Sequence, residues 1–338
     1  MMLTCVTVIP QAATRVFGHR KQKYLFERPA GNCRSFLKRF MMQVRIRLGG
    51  VLFLFLSERD MEIGEELQSF VVTQEEKEEI TIRVSWDWKS VSLPKTEPLG
   101  EDLICRYYAD GDKYYCIARG NLKGPIACTE YTADFTSVLC TINGGPFLHP
   151  IRKLDSVLRM LPIREIFQHF GVLFFHAAQI SHSRKGILFS APSGTGKTTQ
   201  AKLWKKYGGA EIVCNDRTLL RKKNGIWYTY GYPLDGSEPV CSAEVNVLGC
   251  IVLLEQRNGN CVQRLSVSKS IPKLIEQLVL DCWSPKARAA AMELLLELVS
   301  SVPVFRLGCT PDECAVRVLK NALEDEGVIF RDEKGENY

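Results

Sequence analysis

The chain of 338 residues is 46% hydrophobic and 24% charged, the composition of a globular protein, and its length suggests two domains. Its longest apolar run, residues 51–56, is far too short to span a bilayer, so no membrane partner is expected. Residues 1–41 hold eight Lys or Arg and one acid, whereas the remainder holds 36 basic and 37 acidic residues. This balance excludes an extended nucleic-acid surface beyond the first segment.

The first segment, residues 1–41, mixes basic and aromatic residues without a hydrophobic period. A disordered basic arm, a targeting peptide and sequence upstream of the true start are three interpretations of this pattern. We expect a disordered or non-native extension that folding does not require. The last residues, 331–338, are expected to form a tail.

The next segment, residues 42–150, has the alternation typical of β-strands. Val44, Ile46 and Leu48 alternate with polar residues, and the glycines at 49 and 50 predict a hairpin turn to the apolar run that follows. Alternation returns at residues 81–86 and around residue 105. We predict a smaller β-rich N-terminal domain over residues 42–150.

Thirteen cysteines occur, with no Cys-x-x-Cys pair among them. Four of them recur every eleven or twelve residues: Cys105, Cys116, Cys128 and Cys140. A disulfide ladder and one buried cysteine in each of several strands both fit that spacing. We expect reduced thiols in a cytoplasmic protein.

From residue 154 the pattern becomes that of an α/β domain, which we place at residues 151–330. Helices interrupted by Pro162 come first. Strands are predicted at 171–180, 186–190, 211–214, 225–230, 250–254 and 302–307, and helices at 270–281, 285–300 and 311–325. The last helix is predicted to carry Pro311 at its first helical position.

The strand at 186–190 leads into a glycine-rich loop and then a segment of helical spacing. Gly194 and Gly196 allow backbone N–H groups to converge on phosphate oxygens. Lys197 can reach the β- and γ-phosphates, and the Thr198 hydroxyl can ligate Mg²⁺. Strand, loop and helix in this order favour a phosphate-binding P-loop over a flexible glycine turn.

One loop position departs from the usual P-loop pattern, because Ala191 stands where a glycine normally begins it. A positive φ at an alanine would cost energy. We predict ATP binding, with Mg²⁺, by nine consecutive residues: Ala191, Pro192, Ser193, Gly194, Thr195, Gly196, Lys197, Thr198 and Thr199.

Phosphate transfer also requires an acidic group near the γ-phosphate. Asp216 follows the strand at 211–214, and Glu255 follows the strand at 250–254. We favour Asp216, for which the alternative is an ordinary turn aspartate. His176 lies in the strand before the P-loop, where a satisfied core histidine and a group near the phosphates are equally compatible with the pattern.

The run from His176 through the loop to Asn215 and Asp216 resembles the catalytic half of HPr kinase/phosphorylase, and more distantly the nucleotide site of phosphoenolpyruvate carboxykinases. The resemblance covers about residues 170–255. It implies an α/β P-loop kinase domain of that type, preceded here by a smaller β-rich domain, and serine-kinase activity on a protein or small molecule. It also implies an Asp pair after the next strand, in which Asn215 replaces one acid. Residues 42–150 do not match that family's N-terminal domain, so we expect an acceptor other than HPr.

We therefore predict an ATP-dependent kinase in which Lys197, Asp216 and His176 are catalytic and Thr198 and Asp216 hold Mg²⁺. The predicted acceptor is a hydroxyl of a peptide, protein or small molecule, and a homo-oligomer is compatible with the sequence. The alternatives are a non-catalytic nucleotide-responsive module and an ATPase that needs no acceptor.

Two tyrosines, Tyr228 and Tyr230, have two interpretations. They either shape the acceptor pocket or belong to an edge strand.

Overall fold

The structure is a computed structural model that describes residues 40–120, 124–144, 151–234, 240–280 and 285–329. The predictions for the extension at 1–41 and the tail at 331–338 fall outside these residues, apart from positions 40 and 41. Within the described part, the chain is a mixed α/β structure built on two β-sheets. None of its described helices is long and apolar enough to cross a membrane.

The first sheet has nine strands within the described residues, in the spatial order β3-β1-β2-β4-β9-β8-β7-β6-β5. The β2–β4 and β4–β9 pairs are parallel and the other neighbours are antiparallel. A short helix, α1 (Glu65–Gln68), lies between β2 and β4 in the chain. The strands are β1 (Met42–Leu48), β2 (Val51–Ser57), β3 (Val71–Val72), β4 (Ile80–Ser85), β5 (Gly100–Glu101), β6 (Cys105–Asp110), β7 (Lys113–Ala118), β8 (Ala127–Thr132) and β9 (Val138–Ile142).

The predicted hairpin at the start of this sheet is confirmed. β1 pairs antiparallel with β2, and Gly49 and Gly50 in its turn have φ values of 58° and 72°. Both angles lie in the left-handed region that glycine adopts without a steric penalty. The four regularly spaced cysteines lie one on each of β6, β7, β8 and β9, and all are buried and free. The prediction of one buried cysteine per strand is therefore confirmed.

Two short helices, α2 (Leu154–Leu158) and α3 (Ile163–His169), connect the sheets, with Pro162 between them as predicted. The second sheet has eight strands within the described residues. They are β10 (Val172–His182), β11 (Lys185–Ser190), β12 (Glu211–Cys214), β13 (Arg217–Lys223), β14 (Ile226–Gly231), β15 (Val245–Gln256), β16 (Cys261–Arg264) and β17 (Val304–Cys309).

The strand directions of the second sheet bring three strand ends to one edge. β10 is antiparallel to β11, β12 and β13, while β11 is parallel to β15. β11, β12 and β15 therefore run in the same direction and end on the same side. The further pairs β13–β14 and β14–β15 close a ring of five strands with β10 and β11. β17 pairs with β15 in parallel, and β16 pairs with β17 and forms the edge of the sheet.

Four helices pack on the second sheet: α4 (Lys197–Leu203), α5 (Val267–Ile275), α6 (Pro285–Ser301) and α7 (Glu313–Asp325). α4 continues into a π-helical turn, Trp204–Gly208, whose buried Trp204 contacts the rings of His182 and Phe189. α5 begins three residues before its predicted start. α7 begins later than predicted because the Asp312 side chain accepts a hydrogen bond from Ala315 N and caps it. Pro311 therefore precedes the cap and is not the first helical residue.

The two sheets share a hydrophobic core. Buried residues of the first sheet, α2 and α3 pack against Val172 and Phe174 of β10, Leu219 of β13 and Tyr230 of β14. Two further cores lie on the second sheet, one beneath α4 and α7 and the other beneath α5 and α6. This packing fixes the position of β10, which carries His176 in its middle.

Candidate functional site

The loop between β11 and α4 has the backbone conformation that its glycines predict. Gly194 and Gly196 have φ values of 78° and 113°, and Gly196 is the residue before the first turn of α4. Ala191 is buried and is not among the described non-glycine residues with positive φ. The departure from a leading glycine therefore brings no backbone strain here, since alanine adopts a negative φ freely.

Lys197 opens α4 and folds back over the loop. Its Nζ donates hydrogen bonds to the carbonyl oxygens of Ala191, at 2.9 Å, and Pro192, at 3.3 Å. Burial lowers the pKa of the Lys197 ammonium, with the charge of Asp216 acting in the opposite direction and that of Arg217 in the same one. The lysine is thus held at the loop, close to both of these side chains.

His176 and Asp216 form a hydrogen-bonded pair, with 2.9 Å between His176 Nε2 and Asp216 Oδ1. His176 lies in β10, and Asp216 lies in the turn between β12 and β13. Main-chain bonds hold the two segments together, because Ala177 N donates to Asp216 O at 3.1 Å. Ser190 at the end of β11 donates from Oγ to His176 O, also at 3.1 Å, which ties the pair to the start of the loop.

Burial, together with the charge of Lys197, favours a neutral imidazole at His176. Burial lowers the pKa of His176, and the nearby Lys197 lowers it further, while Asp216 opposes both. Arg217 Nε lies 3.7 Å from Asp216 Oδ2. A neutral His176 donates from Nε2 to Asp216 Oδ1 and holds the orientation of the carboxylate, whose Oδ2 faces Arg217.

Asn215 and Glu255 have different surroundings from Asp216. The Asn215 side chain is buried directly beside it, whereas Glu255 lies within β15 rather than after it. The Glu255 carboxylate is 3.1 Å from Arg257 Nε, 3.7 Å from Lys273 Nζ and 3.8 Å from an Arg306 nitrogen. Three cations therefore already balance its charge.

An open cleft of about 520 Å³ lies between the loop, the end of β15 and α5. Its wall includes residues 190–195 and 253–256, together with Lys273, Glu276, Gln277 and Arg306. Of the nine predicted nucleotide-binding residues, 191–195 line this cleft, while 196–199 form the end of the loop and the first turn of α4. Gln277 also connects the cleft to the pair, because its carbonyl oxygen accepts from His176 N at 2.9 Å.

Several residues of this site were not predicted from the sequence. Arg217 follows Asp216 directly, and a cation beside a candidate catalytic carboxylate was the signal that could have identified it. Lys273 lies in α5, Gln277 follows that helix and Arg306 lies in β17. These segments reach the cleft only through the sheet topology, so no local pattern marks them.

Tyr228 and Tyr230 lie in β14, and they pack with the core that the two sheets share. Tyr230 approaches the first hairpin, since a Cβ added at Gly50 would lie 2.8 Å from its hydroxyl oxygen. Neither tyrosine lines the cleft beside the loop. They lie in a strand, but the interpretation as an edge strand is wrong, because β14 pairs with both β13 and β15.

No protein-family model matches the chain, and no curated protein matches it. Among solved structures, the Hpr(Ser) kinase/phosphatase from Coxiella burnetii is similar over 46% of this chain and 93% of its own. The two share 12% sequence identity, with a TM-score of 0.28. The structural similarity is partial and weak, and it assigns no function to this chain.

Proposed function

We propose that this protein binds magnesium-ATP at residues 191–199 and transfers the γ-phosphate to a hydroxyl of a peptide, protein or small molecule. The observation that carries the proposal is the Asp216–His176 pair, held at 2.9 Å beside the loop that presents Lys197. A phosphate-binding loop explains binding, and a positioned carboxylate next to it supplies what transfer requires.

Phosphate binding would use the loop backbone and Lys197. The positive φ values at Gly194 and Gly196 turn the chain so that successive N–H groups can face one concavity. Lys197 Nζ donates to two loop carbonyls, so its ammonium group is held against the loop. Its charge would neutralise the oxygens of the transferred phosphoryl group as negative charge redistributes.

Thr198 and Asp216 are the residues that would hold Mg²⁺. Thr198 is partly exposed in the first turn of α4, and one oxygen of Asp216 is not engaged by His176. No group of three metal-ligating side chains lies together within the described residues. Mg²⁺ commonly takes one or two protein oxygens and completes its shell with substrate phosphates and water, so two protein ligands would be enough.

The Asp216 carboxylate would also accept the proton of the attacking hydroxyl. His176 donates to Oδ1 and fixes the plane of the carboxylate, so that the other oxygen points in one direction. Because burial lowers the pKa of His176, the imidazole stays neutral near pH 7 and leaves the negative charge on Asp216.

A second candidate is a nucleotide-responsive module without catalysis. The observation in its favour is Asn215, which stands beside Asp216 where the resemblance implies a second acid. A kinase with this replacement would need Asp216 alone to bind the metal and to accept the proton of the acceptor hydroxyl. The first sheet, which shares a core with the second, would provide the surface for a partner.

Incubation with radiolabelled ATP and a cell extract separates the two candidates. A kinase labels a discrete acceptor in the extract, and the label requires the added protein and Mg²⁺. Lys197→Ala should abolish labelling of the acceptor. Lys202→Ala, on the exposed face of α4, is its matched control and should label the acceptor as the unaltered protein does. Saturable magnesium-ATP binding with no labelled species would support the module instead, and no binding would remove both candidates.

A further inference from the structure

Two cysteines face each other directly beside the candidate site. Cys214 is the last residue of β12, and it forms an antiparallel bridge with Cys241. Ser242 N donates to Val213 O at 2.9 Å, so the two cysteines occupy a non-hydrogen-bonded position of the bridge. Their side chains are therefore on the same face of the bridge.

This position satisfies the geometry of a disulfide. Residues opposite each other at a non-hydrogen-bonded site have Cα atoms about 4.5 Å apart, inside the range of about 4.4–6.8 Å that disulfides span. The cysteines of the first sheet differ in this respect. Cys105 lies opposite Ala118, and Cys116 lies opposite Thr129.

Cys241 packs closely against Gly231 of β14 and is partly exposed to solvent. A Cβ added at Gly231 would lie 2.7 Å from Cys241 Sγ, so the glycine is what lets this segment approach β14. Cys241 is partly exposed, whereas Cys214 is buried behind it. An oxidant therefore reaches Cys241 first.

The buried thiol also contacts the turn that carries Asp216. Cys214 Sγ lies 2.8 Å from the carbonyl oxygen of Arg217 and donates its proton to it. This bond spans Asn215 and Asp216, and it closes the turn whose carboxylate meets His176. Any reaction that removes the Cys214 proton removes this bond.

We infer that Cys214 and Cys241 are a reversible thiol–disulfide pair that makes the Asp216 turn sensitive to the redox state. The oxidant is a low-molecular-weight disulfide such as oxidised glutathione. One of the two cysteines attacks it as the thiolate, a mixed disulfide forms and one glutathione thiolate leaves. The other cysteine then attacks the protein sulfur of the mixed disulfide, the protein disulfide forms and the second glutathione leaves. Two protein thiols are oxidised, one disulfide is reduced to two thiols, and the two protein protons pass to the leaving thiolates.

The oxidised pair changes the turn because a disulfide sulfur has no proton to donate to Arg217 O. We expect oxidised protein to bind magnesium-ATP about threefold or more weakly, the effect of losing one ordinary hydrogen bond at the site. This part of the inference rests on the proposed function. Formation of the disulfide does not.

The test uses the full chain, equilibrated in glutathione buffers from fully reduced to fully oxidised. After an acid quench, free thiols are alkylated, and digested peptides are mapped by mass spectrometry. The expected result is a peptide pair linked through Cys214 and Cys241 that disappears with dithiothreitol. Cys261→Ser, which changes an exposed cysteine on β16, should leave the linkage unchanged. Cys214→Ser should convert Cys241 from the linked form to a glutathione adduct.

Full alkylation of Cys214 and Cys241 in buffers that already glutathionylate the exposed Cys261 would overturn the inference, and this outcome needs no variant to fold. Calorimetry with magnesium-ATP on the reduced and oxidised protein tests the coupling to the site. If the disulfide is present and the reduced and oxidised proteins bind magnesium-ATP with equal affinity, the site is not sensitive to the redox state. Absence of nucleotide binding in both forms would count against the proposed function and leave the linkage result standing.

Discussion

Two carboxylates lie at the same edge of the second sheet in contrasting surroundings. Asp216 follows β12, and its hydrogen-bond partner is the imidazole of His176 at 2.9 Å. Glu255 lies on β15 and faces three cations, of which Arg257 is the nearest at 3.1 Å. Burial lowers the pKa of His176 and keeps that partner neutral, so the ion pair described for Asp216 is with Arg217 at 3.7 Å, against three ion pairs for Glu255.

The contrast indicates what each carboxylate can do. A carboxylate surrounded by cations serves to hold them, and Glu255 positions Lys273 and Arg306 on the wall of the cleft. A carboxylate with one neutral donor and a single ion pair can still coordinate a metal ion. Asp216 therefore suits chemistry and Glu255 suits the organisation of the cleft.

The largest expected effect is that of Asp216→Asn, which keeps the shape of the side chain and removes its charge. We expect transfer to the acceptor found by extract labelling to fall by about a hundredfold or more, because a lost transition-state interaction of a few kcal/mol has that effect. Asp112→Asn, in an exposed turn of the first sheet, is the matched control. Transfer rates are compared at saturating ATP, and undiminished transfer in Asp216→Asn would move the assignment to Glu255.

Lys197→Ala should have the next largest effect, measured on nucleotide affinity. It removes a charge-assisted phosphate contact of about 1.5–3 kcal/mol, which corresponds to a dissociation constant about 10- to 150-fold higher. Calorimetry with magnesium-ATP measures it, and Lys202→Ala on the same helix should bind as the unaltered protein does. Equal affinities for Lys197→Ala and the unaltered protein would show that the loop does not hold phosphate.

Local sequence determines the conformation of the loop, whereas long-range strand pairing brings the cleft residues together. The loop was predictable because the glycines, Lys197 and Thr198 are contiguous, and their chemistry is set by local backbone geometry. The proximity of His176 and Asp216 was expected only as one of two interpretations, since it depends on the antiparallel pairing of β10 with β13. The cation cluster around Glu255 depends on β17 and α5 and had no local signal.

The fold shows the same division between local and long-range information. Hairpin β1–β2 follows from alternation and two glycines, and the sequence predicted it. β13 was not predicted, because it begins with Arg217 and ends with polar residues, and these hide the apolar pattern of two buried leucines, Leu219 and Leu220. The core contacts of the two leucines come from both sheets and leave no local signal. The error at α7 arose because proline at a helix start and aspartate as a cap compete for adjacent positions, and Asp312 is the cap.

His176→Gln should lower transfer by about 10- to 100-fold, the usual effect of losing a group that orients another. It also offers a pH test. The pKa of His176 is lowered in the folded protein, so below its ordinary value of about 6.5 the unfolded chain binds a proton that the folded chain does not. This group therefore contributes to a decrease in the free energy of unfolding as the pH falls through that range.

Urea unfolding at a series of pH values, from 8 downward, measures this contribution as the difference between His176→Gln and the unaltered protein. The decrease on acidification should be smaller in His176→Gln. Superimposable pH profiles would show that the imidazole is no more neutral in the folded protein than in the unfolded one, and the role of His176 as a neutral donor to Asp216 would then be wrong.

The smallest effect on transfer is expected for Glu255→Gln, and it tests the comparison most directly. The substitution removes the charge that three cations face, so Lys273 and Arg306 gain freedom in the cleft while the loop and the Asp216–His176 pair are left in place. If Asp216 is the chemical carboxylate, transfer at saturating ATP should change by no more than about twofold, since no reacting atom loses a partner. The Michaelis constant for ATP or for the acceptor should change more than the rate, because the altered cations line the cleft where a ligand would lie.

Steady-state kinetics of Glu255→Gln and Asp216→Asn, measured side by side, therefore give opposite patterns under the proposed assignment. A loss of a hundredfold or more in the rate for Glu255→Gln, with a normal rate for Asp216→Asn, would exchange the roles of the two carboxylates.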